Sequence, residues 1–169
     1  MASPPLPPQF LPIEARWCLE AAAPTPAPPP CIQLEVARTP QQQSWGLMGR
    51  PPLAPLQGMW FPAEQPQVLK FWMHRTPAAL DMVFLRDGRV MAIEAGAQPC
   101  PRLPCRSYGP DEPADGVIEL AAGEAARLGI RVGAPARITA LPLGLAAPFS
   151  GPAAPFSGPA APSGGGHGH

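Results

Sequence analysis

FWMHRTPAALDMVFL, residues 71–85, is the densest apolar run of the chain. An aspartate and a short polar segment interrupt this run. Strands that are buried on both faces of a sheet have nearly continuous apolar sequences. The stretch therefore predicts two core strands, over 68–73 and 80–85, joined by a polar loop over 74–79.

Alternation of apolar and polar residues predicts half-buried strands earlier in the chain. Apolar side chains occupy every second position from Ile13 to Leu19, and the pattern returns from Ile32 to Val36. After the central run, Asp87-Gly88 lies between apolar segments, which is the strongest local hairpin signal in the sequence. Further strands are predicted over 58–61, 90–95, 117–120 and 136–140, with Pro62–Pro66 as a break before the strand at 68–73.

Two short helices complete the predicted architecture. Thr39-Pro40-Gln41-Gln42 has a cap, a proline at the first helical position and the third residue of a capping box, and this helix ends by Gly46 or Gly49. A second helix of one or two turns is predicted over 123–128. The fold class is thus mainly β, with a minor α+β character: a small antiparallel β-barrel or sandwich with two short helices.

Composition divides the 169-residue chain into one domain with two tails. Of 29 prolines, ten lie in residues 1–30 and six in 141–169. Residues 1–8 are predicted to be a Pro-rich disordered amino terminus. The seven-residue repeat at 146–152 and 153–159 is rich in Pro and Gly, so 141–169 is predicted to be a disordered tail. Residues 9–140 remain as the globular β domain.

The charge pattern limits the classes of partner. Twelve basic and twelve acidic residues are scattered along the chain, without the basic stripe that phosphates need, so we expect no nucleic-acid partner. No apolar stretch reaches the roughly 20 residues of a transmembrane helix. The amino terminus lacks the charged start and apolar core of a signal peptide. We expect no cofactor and no metal site, and we expect a monomer whose partner is an unknown small molecule or protein.

The four cysteines, Cys18, Cys31, Cys100 and Cys105, are the disulfide candidates. Cys18 and Cys31 share the outward parity of their strands, which permits either a cross-strand disulfide or two separate thiols. Cys100 and Cys105 have neither redox nor zinc spacing, which favours a local structural disulfide. Disulfides persist outside a reducing cytosol, while the amino terminus gives no export signal, so the compartment stays open.

Several short motifs together resemble one known family. They are Gly46-Leu47-Met48 with Arg50, Gly58-Met59, Phe71-Trp72-Met73, Thr76 and Leu80-Asp81. In this combination, over residues 31–140, the chain resembles DUF192, also called UPF0127, a family of small uncharacterised domains. The resemblance implies no chemistry, although many members look exported, which suggests possible export here. One departure is His74-Arg75, where the family typically has a basic residue and Asn.

Asp81 is the most informative candidate residue. A carboxylate among apolar neighbours is partly desolvated and needs a partner, which Arg50, Arg75 or the Thr76 hydroxyl could supply. In a functional interpretation Asp81 is an acid–base or ligand-anchoring group in a pocket walled by Trp72 and Met73. In a structural one it forms a buried Arg–Asp bridge or caps a loop.

Three functional hypotheses follow. The first is a non-catalytic module that binds a small ligand or a partner in a groove near Arg50, Trp72, Thr76 and Asp81, with Met73 in its wall. The second is a small hydrolase-like enzyme with Asp81 as acid or base and Arg50 as a clamp. The third is a disulfide-stapled structural surface module. Two other polar side chains are predicted to have no functional role: His74 is a solvated loop residue, and Glu119 is an outward-facing strand residue.

Overall fold

The structure is a computed structural model that describes residues 6–21 and 23–142. Most of the predicted tail, 143–169, and the first five residues of the predicted amino-terminal segment lie outside the described residues. The predictions of disorder for these two segments therefore stay predictions.

The described chain is mainly β, as predicted, with nine strands and two short helices. The helices are α1 (Pro40–Trp45) and α2 (Glu124–Arg127). The strands are β1 (Ile13–Cys18), β2 (Cys31–Val36), β3 (Gln57–Gln67), β4 (Phe71–Trp72), β5 (Leu80–Arg86), β6 (Arg89–Ala97), β7 (Ser107–Tyr108), β8 (Ala114–Ala121) and β9 (Ile138–Ala140).

Seven strands form one mixed sheet in the order β6-β5-β8-β3-β2-β1-β9, and β4 pairs with β7 in a second, two-stranded sheet. The prediction of a barrel is wrong, because the seven-stranded sheet does not close and β6 and β9 are its outer strands. Wholly antiparallel pairing is also wrong, since β2 and β3 are parallel. Parallel neighbours need a crossover connection, and the crossover between these two strands carries α1.

Strand β3 runs through the predicted proline break. It extends from Gln57 to Gln67, while the predicted strand at 68–73 is reduced to Phe71–Trp72. The pairing of β3 with β8 shifts register between Pro62 and Gln67. Prolines are tolerated in strands at such irregularities, because there the ladder does not need their missing N–H groups.

Both faces of the large sheet are covered. One face packs a cluster around Trp17, Leu34, Ile118 and Leu120. The other packs a cluster that includes Met59, Phe61, Met73, Met82, Phe84 and Val117. We call the second face the crossover face, because its cluster also includes Leu47 and Leu53 from the crossover between β2 and β3. Central strands are consequently buried at both parities, and β5 is buried at six successive positions.

Two disulfides are present, Cys18–Cys31 between β1 and β2 and Cys100–Cys105 within the loop before β7. The local disulfide favoured at Cys100 and Cys105 is confirmed, and of the two alternatives left open at Cys18 and Cys31 the structure has the cross-strand disulfide. Within 6–21 and 23–142, no helix has the length and apolar character needed to cross a membrane.

Candidate functional site

A cavity of about 530 Å³ lies between α1 and the crossover face of the sheet. Its walls come from α1 and the residues after it, from β3, β5 and β8 on the sheet, and from the small β4–β7 sheet at the side. The lining side chains include four aromatic residues and two polar ones: Trp45, Phe61, Phe71, Trp72, Thr76 and Glu119. The cavity therefore exists because the parallel β2–β3 connection carries a helix over the sheet.

Local sequence fixes α1 in this position. The Thr39 hydroxyl accepts a hydrogen bond from the Gln42 N–H at 3.1 Å, while the Gln42 side chain accepts one from the Thr39 N–H at 3.2 Å, as the predicted capping box requires. Gln43 donates to the backbone carbonyls of Ala37 at 3.1 Å and Pro62 at 2.9 Å, which ties α1 to both strands of the crossover.

Glycine is needed where α1 ends. Gly46 has a φ of +44°, and a Cβ there would lie 3.2 Å from the Phe61 ring. A side chain at this position would be strained by its backbone conformation and would press on the cavity wall.

Aromatic rings form much of the wall. The Phe61 and Phe71 rings meet edge to face with centroids 5.4 Å apart, and Phe71 makes a similar contact with Phe84 at 6.2 Å. This geometry is favourable for aromatic pairs and holds the wall rigid. Trp72 remains 46% exposed, beside the His74 ring at 5.1 Å, so a large apolar surface is open to solvent at the cavity.

Glu119 lies on the sheet side of the cavity and is only 5% exposed. On β8 it pairs with Met59 of β3 and Met82 of β5, so its side chain is on the crossover face. The prediction that Glu119 faces outward is wrong, because that face of β8 is covered. Burial raises the pKa of the Glu119 carboxyl to about 8. None of the residues described makes a hydrogen bond or ion pair with this carboxyl.

The predicted site residues separate into two groups. Trp72 and Thr76 line the cavity, and the Thr76 hydroxyl donates a 3.3 Å hydrogen bond to the His74 carbonyl. Met73 is buried in the core cluster of the crossover face instead. Arg50 and Asp81 lie at two other places, and each has its own partner.

Arg50 forms a buried ion pair with Glu35. One guanidinium nitrogen, Nη1, lies 2.7 and 2.9 Å from the two Glu35 oxygens, and both side chains are at most 2% exposed. The Leu11 N–H donates to the same carboxylate at 2.8 Å, and the Arg50 guanidinium stacks over the Phe10 ring at 4.6 Å. The pair thus fastens the segment before β1 to the domain.

Asp81 is 1% exposed and accepts two backbone hydrogen bonds. Oδ1 accepts from the Gly96 N–H at 2.9 Å and Oδ2 from the Ala125 N–H at 3.0 Å. Its partners are therefore backbone groups of β6 and α2, rather than the predicted Arg50 or Arg75. It borders a second cavity of about 470 Å³, together with Gly96 and Ala125.

Sequence reasoning missed Glu119 and Glu35 as buried carboxylates. A signal for Glu119 was present, since Val117, Ile118 and Leu120 make its strand apolar at both parities. Across the described part of the chain, no group of three or more His, Cys, Asp or Glu side chains could hold a metal ion.

The fold and the cavity define a small β-domain with a mixed sheet and a helix-covered pocket that contains one buried carboxyl. The family of such domains to which this chain belongs is DUF192: a family model described as "Uncharacterized ACR" matches residues 23–138. The family carries no assigned chemistry.

Two solved structures are similar to the chain. A crystal structure of a proposed transcription regulator from Sinorhizobium meliloti 1021 is 30% identical, covers 79% of this chain and 98% of its own, and has a TM-score of 0.64. A protein of unknown function from Novosphingobium aromaticivorans DSM 12444 is 31% identical, covers 82% of this chain and 93% of its own, and has a TM-score of 0.61. No curated protein matches the chain.

Proposed function

We propose that this domain is a non-catalytic module that binds a small organic molecule in the cavity between α1 and the crossover face. The observation that carries the proposal is a buried carboxyl, Glu119, which faces an aromatic-walled cavity and has no protein partner among the described residues. Buried polar groups in folded proteins are almost always hydrogen-bonded, because an unpaired one destabilises the fold. A ligand in the cavity would supply a hydrogen-bond partner for the Glu119 carboxyl.

The dimensions and chemistry of the cavity support this proposal. Pockets for small molecules commonly enclose about 300–1,000 Å³ and combine apolar walls with a few polar groups. Here the walls carry Trp45, Phe61, Phe71 and Trp72, and the polar groups include the Thr76 hydroxyl and Glu119.

The proposed site shares only part of its residues with the groove predicted from the sequence. Trp72 and Thr76 remain in the proposed site, Glu119 replaces Asp81 as its carboxyl, and Arg50 is left to its ion pair with Glu35. The hydrolase-like alternative needs Asp81 and Arg50 in one cleft, whereas Asp81 is capped by backbone N–H groups and Arg50 is sealed against Glu35.

Binding of three small aromatic probes to the full chain tests the proposal: phenethyl alcohol, phenethylammonium and hydrocinnamate. They share one ring and differ in charge, so at least one suits the cavity whatever the polarity of its natural ligand. We expect chemical-shift changes in two-dimensional NMR spectra at Trp45, Trp72 and Thr76, which all line the cavity.

A pair of variants shows where the probe binds. Ser107 lines the cavity and is exposed, so Ser107→Trp fills the cavity without disturbing the core and should abolish binding. Thr139→Trp makes the same change at an exposed position of the outer strand β9 and should leave binding unchanged. If the unmodified chain binds none of the three probes, the cavity is not a ligand site, and the disulfide-stapled structural module becomes the better hypothesis.

A further inference from the structure

Glu119 stands apart from the other buried carboxylates of the described residues. Four such groups are buried: Glu35, Asp81, Glu119 and Glu124. The carboxylate of Glu35 binds Arg50, that of Asp81 binds two backbone N–H groups, and that of Glu124 binds the Leu56 N–H and Arg127. Glu119 alone of the four has no such partner, and it alone lines the large cavity.

We infer that the natural ligand is an organic cation, an ammonium group on a compact apolar body, whose charge is met by the Glu119 carboxylate. This inference rests on the proposed function, since it names the class of ligand for the same cavity. Two independent features of the cavity favour a cation: the negative charge of the ionised Glu119 carboxylate and the aromatic side chains in the walls.

The buried group can provide one full negative charge. The Glu119 side chain itself is buried, and an ammonium within hydrogen-bond reach of a buried carboxylate is held more strongly than at an exposed surface. In its ionised form the same group would repel an anionic ligand, and a neutral ligand would gain only an ordinary hydrogen bond.

The walls favour a cation as well. Aromatic faces carry a negative quadrupole that attracts ammonium groups, most strongly at tryptophan. Two tryptophans and two phenylalanines line this cavity: Trp45, Trp72, Phe61 and Phe71. Cages of aromatic side chains with a carboxylate are a recurrent solution to ammonium recognition.

The charged groups near the cavity leave the Glu119 charge uncompensated. On the neighbouring strands β3 and β5 the residues opposite Glu119 are Met59 and Met82. Lys70 lines the cavity, but its ammonium is bound to the Gly109 carbonyl at 2.6 Å and to Asp111 at 2.8 Å.

Two further basic groups lie next to the small β4–β7 sheet. The Arg106 guanidinium, just before β7, stacks over the Tyr108 ring at 4.3 Å, and the His74 ring, after β4, lies 5.1 Å from the Trp72 ring. α1 contributes uncharged lining side chains. Among the described residues, no basic side chain is paired with the Glu119 carboxyl.

Proton release should accompany binding. Because burial raises the pKa of the Glu119 carboxyl to about 8, the empty cavity holds this group mostly protonated at neutral pH. When an ammonium binds, the carboxyl gives its proton to solvent and becomes the carboxylate partner. Affinity for a permanent cation should therefore rise about tenfold for each pH unit up to about 8 and then level off.

The three probes used above also test this inference. At pH 8 we expect the full chain to bind phenethylammonium at least about tenfold more tightly than phenethyl alcohol, and hydrocinnamate most weakly. Towards pH 6 the Kd of phenethylammonium should weaken steeply, whereas that of phenethyl alcohol should stay constant.

Glu119→Gln keeps the shape of the side chain and removes its charge, so the preference for phenethylammonium and its pH dependence should both disappear. Glu64→Gln makes the same change at an exposed position and should retain both. Equal binding of phenethylammonium and phenethyl alcohol by the unmodified chain would overturn the cation inference and leave the ligand-binding proposal standing. Binding of no probe would overturn both.

Discussion

Glu35 and Glu119 lie in one row across the crossover face, yet the fold treats them in opposite ways. Glu35 pairs in register with Met59, and Met59 pairs with Glu119, so the backbones of the two glutamates are two strands, or about 10 Å, apart. Glu35 is sealed by Arg50 and by the segment before β1, whereas Glu119 faces the cavity under α1. The comparison shows that the segments packed over the sheet, rather than the sheet itself, determine whether a buried carboxyl binds a protein group or faces a cavity.

Breaking the Glu35–Arg50 pair should have the largest effect on stability. Arg50→Met leaves the Glu35 charge buried without its cation, and such changes cost about 3–5 kcal/mol. Urea unfolding would measure this loss. Replacing both partners, as Glu35→Leu with Arg50→Met, removes the uncompensated charge and should restore most of the stability.

A matched exposed ion pair provides the control for that experiment. Arg38 pairs with Glu14 and its side chain is 56% exposed, so Arg38→Met should change the unfolding midpoint very little. If Arg50→Met and Arg38→Met had similar small effects, the buried pair would not hold the segment before β1.

Glu119 should make stability depend on pH. Its pKa rises from 4.5 to about 8 on folding, so between these values the native state holds a proton that the unfolded state has lost. The stabilising contribution is complete below about pH 4.5 and declines as the pH rises to about 8. The slope has an upper limit of about 1.4 kcal/mol per pH unit, and the two pKa values correspond to a total of about 3.5 kcal/mol between pH 5 and 8.

Urea unfolding at a series of pH values would reveal this dependence. Glu119→Gln should reduce the fall in the free energy of unfolding with rising pH, and it should be more stable than the unmodified chain at pH 8. Glu64→Gln, at an exposed position, should show the same fall as the unmodified chain. Parallel curves for all three proteins would show that Glu119 is not protonated in the fold.

Asp81 provides a third, smaller contrast, because its partners are backbone groups. Asp81→Asn keeps one acceptor and turns an amide N–H₂ towards the other donor, at the Gly96 or the Ala125 N–H. We expect a loss of about 1–2 kcal/mol, seen as a lower Tm. The Kd of phenethyl alcohol should not change, since Asp81 lies outside the cavity; a weaker Kd would return Asp81 to the site.

Local patterns predicted much of the fold. The alternation in β1 and β2, the Asp87-Gly88 hairpin between β5 and β6 and the capping box of α1 all depend on neighbouring residues, and the structure contains each of them. These features arise from side-chain parity, turn geometry and capping, which each depend on residues close together in the sequence.

The pairing of strands that are distant in the sequence could not be predicted from local patterns. The parallel contact of β2 with β3 joins residues separated by the whole crossover, and no local pattern distinguishes it from an antiparallel one. The crossover covers the face on which Glu35 and Glu119 lie. Without the crossover, Glu35 alternates with Leu34 and Val36 and is predicted to be an outward-facing residue of a half-buried strand.

The criterion that selected Asp81 applied equally to Glu119. Each carboxylate lies among apolar neighbours of both parities on a central strand. Sequence could identify two desolvated carboxylates, but it could not say which one would receive backbone donors and which would face a cavity. That outcome depends on where α1 and α2 pack.

The crossover also has a consequence for the order of folding. The β5–β6 hairpin closes over a two-residue turn and can form early, whereas β2 and β3 must pair across a long intervening segment that carries the cavity wall. We expect the cavity to be completed late, after the rate-limiting step of folding. A bound ligand should slow unfolding and leave the refolding rate unchanged, which stopped-flow kinetics with and without phenethyl alcohol would measure. Occupancy would thereby lengthen the lifetime of the native protein without helping it to fold.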